Sequence, residues 1–181
     1  KGVNVAHCVA IAWDPRLEAI AMRNTRKRLD VVNQHTGLRL ADDPVFAVWE
    51  LTNEQWWIVK MVSGKWQKLP KFFRDSLLQK WHEFLKDKYK TQAALTAKWS
   101  GLKPGEDLVK GTIYLAPLRG KSGPAALNDA NPHASAKFKS EGVKYGREDF
   151  SAHRARDVNE FFAGLILSHK QRLAAALKKC G

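Results

Sequence analysis

Residues 45–57 read "VFAVWELTNEQWW". From Val45 to Leu51 nearly every position is apolar, which fits a strand buried on both faces, as in a parallel sheet between helices. On such a strand Trp49, Leu51 and Asn53 share one face, and Glu50, Thr52 and Glu54 share the other. The run then ends in Asn53-Glu54 and the adjacent Trp56 and Trp57, so a carboxylate stands beside flat aromatic faces at the end of the expected strand. That reading makes the fold class α/β.

The flanking sequence is expected to be largely helical. Asp14-Pro15 reads as an N-cap followed by proline at the first helical position, and Leu17, Ile20, Ala21, Leu29 and Val32 draw an apolar stripe to about Val32. Before it, Val3, Val5, His7, Val9 and Ile11 alternate as in a short strand. Residues 33–37, Asn-Gln-His-Thr-Gly, break the helix, with Asn33 and Thr36 suited to building a turn through side-chain bonds to the backbone. Downstream, Pro70 opens an amphipathic helix over 71–90, Thr91 caps a shorter one to Trp99, and Gly101 ends it. Trp66, Trp81 and Trp99 are expected to pack these helices together. Residues 102–150 are rich in Gly, Pro, Asn, Ser and Lys, with one strand-like piece at Thr112–Leu115, and such a length points to a functional loop or an insertion. Ser151 offers an N-cap for a long final helix to Lys179, with Val158, Phe161, Phe162, His169 and Leu173 on one face.

Composition bounds the possibilities. At 181 residues and 44% apolar, the chain has the make-up of one globular domain with a sizeable core. No stretch approaches the roughly 18 consecutive apolar residues of a membrane helix. The start, Lys1-Gly2-Val3-Asn4, has neither an initiator Met nor a signal-peptide apolar core, so either a leader was removed or the chain is part of something longer. Cys8 and Cys180 make neither a disulfide framework nor a C-x-x-C site, which leaves the compartment open. Against 31 basic residues stand 18 acidic ones, net +13, a balance compatible with a nucleic-acid or anionic-glycan partner. His82-Glu83 begins like H-E-x-x-H, but position 86 is lysine, so no zinc-protease helix is present.

Within this frame "FAVWELTNEQ" (46–55) resembles the fourth strand of the clan of (β/α)8-barrel glycoside hydrolases that includes the cellulase-like family 5, in which an Asn-Glu pair ends that strand. "WDPRLEAI" (13–20) is similar to that family's Phe-Asp-Pro-Arg-Leu helix start, and "VNQHTGLRLADDP" (32–44) to its Val-Asn-Pro-Tyr-Thr-Gly stretch leading to Asp-Pro. The last helix, with Arg154, Asp157, Phe161 and a Lys-Lys-Cys-Gly end, is similar to the helix after the fourth strand.

The resemblance implies part of a (β/α)8 TIM barrel with a helical insertion after the Asn-Glu strand, residues 55–150 forming the insertion and loop region. It implies a retaining hydrolase of a β-linked poly- or oligosaccharide, with Glu54 as general acid/base, Asn53 holding the substrate 2-hydroxyl, and Trp56 and Trp57 stacking on sugar rings. For His35, standing where the motif has an aromatic residue, the resemblance implies a place lining the cleft, whereas the residue read by itself is more simply a loop histidine with a local hydrogen bond. The chemistry asks for such a carboxyl independently: a glycosidic oxygen leaves only when protonated, and a carboxyl of raised pKa supplies the proton. A retaining enzyme also needs a nucleophilic carboxylate about 5 Å away. No later Glu ends an apolar strand, and a barrel takes about 250 residues, so the nucleophile and the remainder of the barrel are expected outside this chain. Neither metal nor cofactor is required. Two rivals stand beside this reading: a carbohydrate-binding relative without catalysis, and a basic binder of nucleic acid or anionic glycan.

Overall fold

A computed structural model of the chain describes residues 9–46, 48–50, 57–62, 64–118 and 150–179. Its regular elements are helices: α1 (Pro15–Leu29), α2 (Trp57–Val62), α3 (Lys71–Tyr89), α4 (Gln92–Trp99) and α5 (Ala152–Leu177). Two 3-10 turns, Val9–Ala12 and Lys65–Lys68, accompany them. The chain divides into two units, one of residues 1–55 and 165–181, the other of residues 56–164. None of the helices found among the described residues is long and apolar enough to cross a membrane.

The expected α/β architecture, part of a TIM barrel, is corrected by this structure. Among the described residues there is no strand, and the only ladder contact is an isolated antiparallel bridge between Val32 and Arg39. The run that was to be a buried strand lies at the surface: Val45 is 73% exposed, Val48 83%, Trp49 46% and Phe46 41%. A strand satisfies its backbone only through neighbours. Among the described residues of the run, the amides of Val45 and Phe46 both turn back onto Asp43. An apolar run without a second strand to pair with has no ladder to join, so hydrophobicity alone did not make it a strand. Of the alternating residues 3–11, Val9 and Ile11 belong to a 3-10 turn whose four residues are all buried, and residues 3–8 lie outside the described residues.

In the first unit the Asp14 carboxylate caps α1, accepting from the amides of Arg16 (3.0 Å) and Leu17 (3.1 Å), while Pro15 occupies the first helical position. Arg16 returns a side-chain ion pair to the same carboxylate at 2.9 Å. The helix stops at Leu29, three residues before the expected end, and Val31 and Val32 are exposed. The physical reason is local: the amide of Leu40 bonds back to the Val31 carbonyl and that of Ala41 to the Leu29 carbonyl, so the chain reverses instead of continuing the helix.

In the second unit α3 and α4 have the bounds that the apolar spacing predicts, to within a residue. Thr91 Oγ1 accepts from the Ala94 amide at 3.2 Å, and Ser100 and Gly101 both adopt positive φ to end α4. Leu77, Trp81 and Leu85 of α3, Leu95 and Trp99 of α4, and Val158, Phe161 and Phe162 of α5 are buried together with Trp66. Their aromatic rings are linked: the Trp81 ring lies 5.2 Å from Phe161 and 6.2 Å from Trp99, within the range of favourable offset and tilted pairs. Asp157 sits among them and accepts from Trp99 Nε1 (2.7 Å), the Tyr89 hydroxyl and Lys88 Nζ (2.9 Å). Burial, followed by the hydrogen bond and negative charge of Asp157, pushes the Tyr89 hydroxyl up to about 12.

The loop over 102–118 is fixed without a sheet. Thr112–Leu115 buries Ile113 and Leu115, but side chains take its backbone groups: Glu106 accepts from the Tyr114 amide, Arg154 donates to the Tyr114 carbonyl, and the His82 ring bonds the Ile113 carbonyl at 3.0 Å. Glu106 also accepts from the Lys103 amide and holds Arg154 through both of its oxygens. Both partners of this ion pair are only 3% exposed at the side chain, and the guanidinium lies between the rings of Trp99 (4.5 Å) and Phe150 (4.0 Å).

Removing one partner of a buried pair strands the other charge, a loss of about 3–5 kcal/mol. Glu106→Ala is therefore expected to lower the urea-unfolding free energy by about that amount, whereas Lys71→Ala, which removes an exposed Lys71–Asp75 pair, should cost under about 1 kcal/mol.

Candidate functional site

The stretch leading to the expected catalytic pair is organised by one carboxylate. Asp43 is buried, and its Oδ2 accepts from Asn33 Nδ2 (3.1 Å) and Thr36 Oγ1 (3.1 Å) while Oδ1 accepts from the Val45 amide (3.1 Å). Asn33 and Thr36 build the turn that brings them there: Asn33 Oδ1 accepts from the His35 amide (3.0 Å), and Thr36 Oγ1 from the Leu38 amide (3.4 Å). Gly37, at φ +70°, supplies the left-handed residue that lets the turn close on Asn33 through a 2.8 Å bond to its carbonyl. Arg39 clamps the outside by pairing with Asp30 and Asp42. The Val45 amide, and after it the hydrogen bonds from Asn33 and Thr36, hold the Asp43 carboxyl below its usual range against the opposing effect of burial.

After this knot the chain emerges with Phe46 and Trp49 stacked on each other, centroids 5.0 Å apart and planes at 30°, and with Glu50 exposed beside them. Trp49 was expected in the core and Glu50 inside a sheet; both stand at the surface instead. The i, i+3 spacing of the two aromatics was visible in the sequence, but the strand reading placed them on opposite faces.

Asn53, Glu54 and Trp56 lie outside the described residues. Trp57 opens α2 and is buried, so its ring is covered in this structure. His35 is exposed at the tip of the turn and takes part in the knot through its amide. His82 is half-buried and tied to the 102–118 loop; burial, against the Ile113 hydrogen bond, lowers its pKa. No group of three or more His, Cys, Asp or Glu side chains among the described residues is placed to hold a metal ion.

A second polar centre of the same unit was not legible beforehand. Glu18, in the first turn of α1, accepts from the buried His169 Nδ1 (2.6 Å) and from Arg172 Nε (2.9 Å), both on α5. Burial pushes the Glu18 carboxyl up, but the Arg172 and His169 hydrogen bonds outweigh it and keep the group below its usual range. The spacing His169-x-x-Arg172, one turn of helix, was the available signal.

No protein-family model, no curated protein and no solved structure matches this chain.

Asp14, Asp43, Glu18 and Glu106 are all held below their ordinary values of 3.8 (Asp) and 4.5 (Glu). A carboxyl with a depressed folded pKa contributes stability that is complete above its unfolded pKa and is lost as pH falls through the folded one. His82, lowered from 6.5, acts with the same sign from a higher starting point. Urea-unfolding free energy is thus expected to decline slightly below pH 6.5 and steeply below pH 4.5, and Glu18→Gln should flatten the steep part.

Proposed function

We propose that this chain carries the general acid/base of a retaining glycoside hydrolase acting on a β-linked poly- or oligosaccharide. The observation that supports the reading is the Asp43 knot. Asn33, Thr36 and Asp43 belong to the stretch that resembles the hydrolase motif, and although ten residues apart they converge on one carboxylate just upstream of Asn53-Glu54. Residues brought to one point in this way form a single device that fixes how the chain leaves the turn. Asp14 with Arg16, and Arg154 with Asp157, come from the other two resembling stretches and are likewise committed to buried or capping contacts.

In this reading Glu54 protonates the glycosidic oxygen as the bond to the anomeric carbon breaks. A second carboxylate, supplied from outside this chain, attacks the anomeric carbon and forms a glycosyl-enzyme intermediate. Glu54, now a carboxylate, then removes a proton from the water that releases the sugar. Asn53 holds the 2-hydroxyl, with Trp56 and His35 as the sugar contacts that the resemblance implies; Trp57, whose ring is buried at the start of α2, is not one of them. The uncovered apolar run of Val45, Phe46, Val48 and Trp49 fits a segment that the remainder of the catalytic domain covers.

In protein carrying both carboxylates, Glu54→Gln should lower kcat on an unactivated β-glycan by about 10²–10⁴-fold. The loss should be far smaller on a dinitrophenyl β-glycoside, whose leaving group needs no proton. Steady-state kinetics on the two substrates checks this, and an unchanged rate on the glycan would sink the assignment.

A further inference from the structure

In the unit of residues 1–55 and 165–181, α1 and the C-terminal half of α5 leave a groove of about 360 Å³ between them. Its floor is apolar, made by Met22 of α1 and by Leu173, Ala176 and Leu177 of α5. Its α1 side carries Arg23 and Arg26. The spacing is informative: Ala19, Met22, Arg23 and Arg26 stand at i, i+3, i+4 and i+7, the positions of one helical face. The arginine pair lies off the helix's own buried stripe of Leu17, Glu18 and Leu29, on the face that borders the groove. Both are exposed and have no ion-pair partner among the described residues, unlike Arg16, Arg39 and Arg172, which each hold a carboxylate.

The surroundings are one-signed. No Asp or Glu occurs over residues 19–29 or 161–179, whereas Arg23, Arg26, Lys27, Arg28, Lys170, Lys178 and Lys179 do. The carboxylates that border these two stretches in sequence are engaged elsewhere: Glu18 with His169 and Arg172, Asp30 with Arg39, and Glu160 with Lys88.

We propose that this groove is a docking site for an amphipathic helix of a partner protein whose apolar edge is flanked by acidic residues. Two helical walls accept a third helix by ridge-into-groove packing, and a lining from Ala19 to Arg26 covers two turns, about 10 Å, enough for apolar anchors at i and i+4 or i+7. Charge complementarity selects the flanks, since carboxylates on the incoming helix meet Arg23 and Arg26. A second copy of this chain is disfavoured because it brings the same basic rim and a net charge of +13. A nucleic-acid backbone would satisfy the arginines and leave the apolar floor uncovered. A bilayer surface, being flat, would reach the rim and not the concavity.

The test uses the full chain and two fluorescein-labelled 18-residue peptides, identical in their leucine stripe, one flanked by glutamates and one by lysines. Anisotropy should show the glutamate peptide binding at least about tenfold more tightly than its lysine twin. Arg23→Glu with Arg26→Glu should abolish that preference. Ala19→Trp, a change at an exposed position that fills the groove, should weaken the glutamate peptide about tenfold with the arginines intact. Circular dichroism on both variants reports that the helices persist. Equal binding of the two peptides, binding of neither, or insensitivity to Ala19→Trp would overturn the proposal. Binding to phosphatidylglycerol vesicles or to a DNA oligonucleotide with no peptide preference would overturn it too, and would assign the cations to an anionic surface.

Discussion

The buried pairing of Glu106 with Arg154 is the constraint on which the larger unit depends. A loop with no sheet and no helix must still satisfy its backbone when its apolar residues are buried. Here one carboxylate accepts two loop amides and one guanidinium, and that guanidinium in turn donates to a loop carbonyl. The ion pair therefore replaces the hydrogen-bond ladder that a strand at Thr112–Leu115 would have used. It also seats α5, because Arg154 lies in its first turn, between two aromatic rings that belong to the loop edge and to α4. Asp157, one turn further, repeats the device with Trp99, Tyr89 and Lys88. Two charges on one face of one helix thus anchor α3, α4 and the loop.

Local signals in the sequence were read correctly where the physics is local. Asp14-Pro15, Thr91, Gly101 and Ser151 mark helix ends through bonds spanning two to five residues, and the structure has its caps there. The apolar spacing of Phe73, Leu77, Trp81 and Leu85 defines α3 for the same reason. The failure at Val45–Leu51 is of another kind. A continuous apolar run has no period of its own, and only neighbouring strands decide whether it is a strand. None is found among the described residues, and Val45, Phe46, Val48 and Trp49 are exposed.

The candidate site shows the same division. The Asn33–Gly37 turn was legible, because asparagine, threonine and glycine announce it. That Asp43 gathers Asn33, Thr36 and Val45 was not, since a tertiary hydrogen bond ten residues away leaves no periodic trace. The Glu18–His169–Arg172 centre is further still from local inference, joining residues 151 and 154 positions apart.

The exposure of Val45, Phe46, Val48 and Trp49 has a colloidal consequence. An apolar, β-branched and aromatic surface segment is the kind that adheres to its own copies. Asp42, Asp43 and Pro44 precede it and Glu50 follows, the arrangement of charge and proline that natural chains place as gatekeepers around such segments. Beyond them, repulsion between molecules each carrying a formal +13 keeps copies apart. Dissolved salt shortens the range of that repulsion and leaves the apolar contact intact, so ionic strength governs how long this protein stays dispersed.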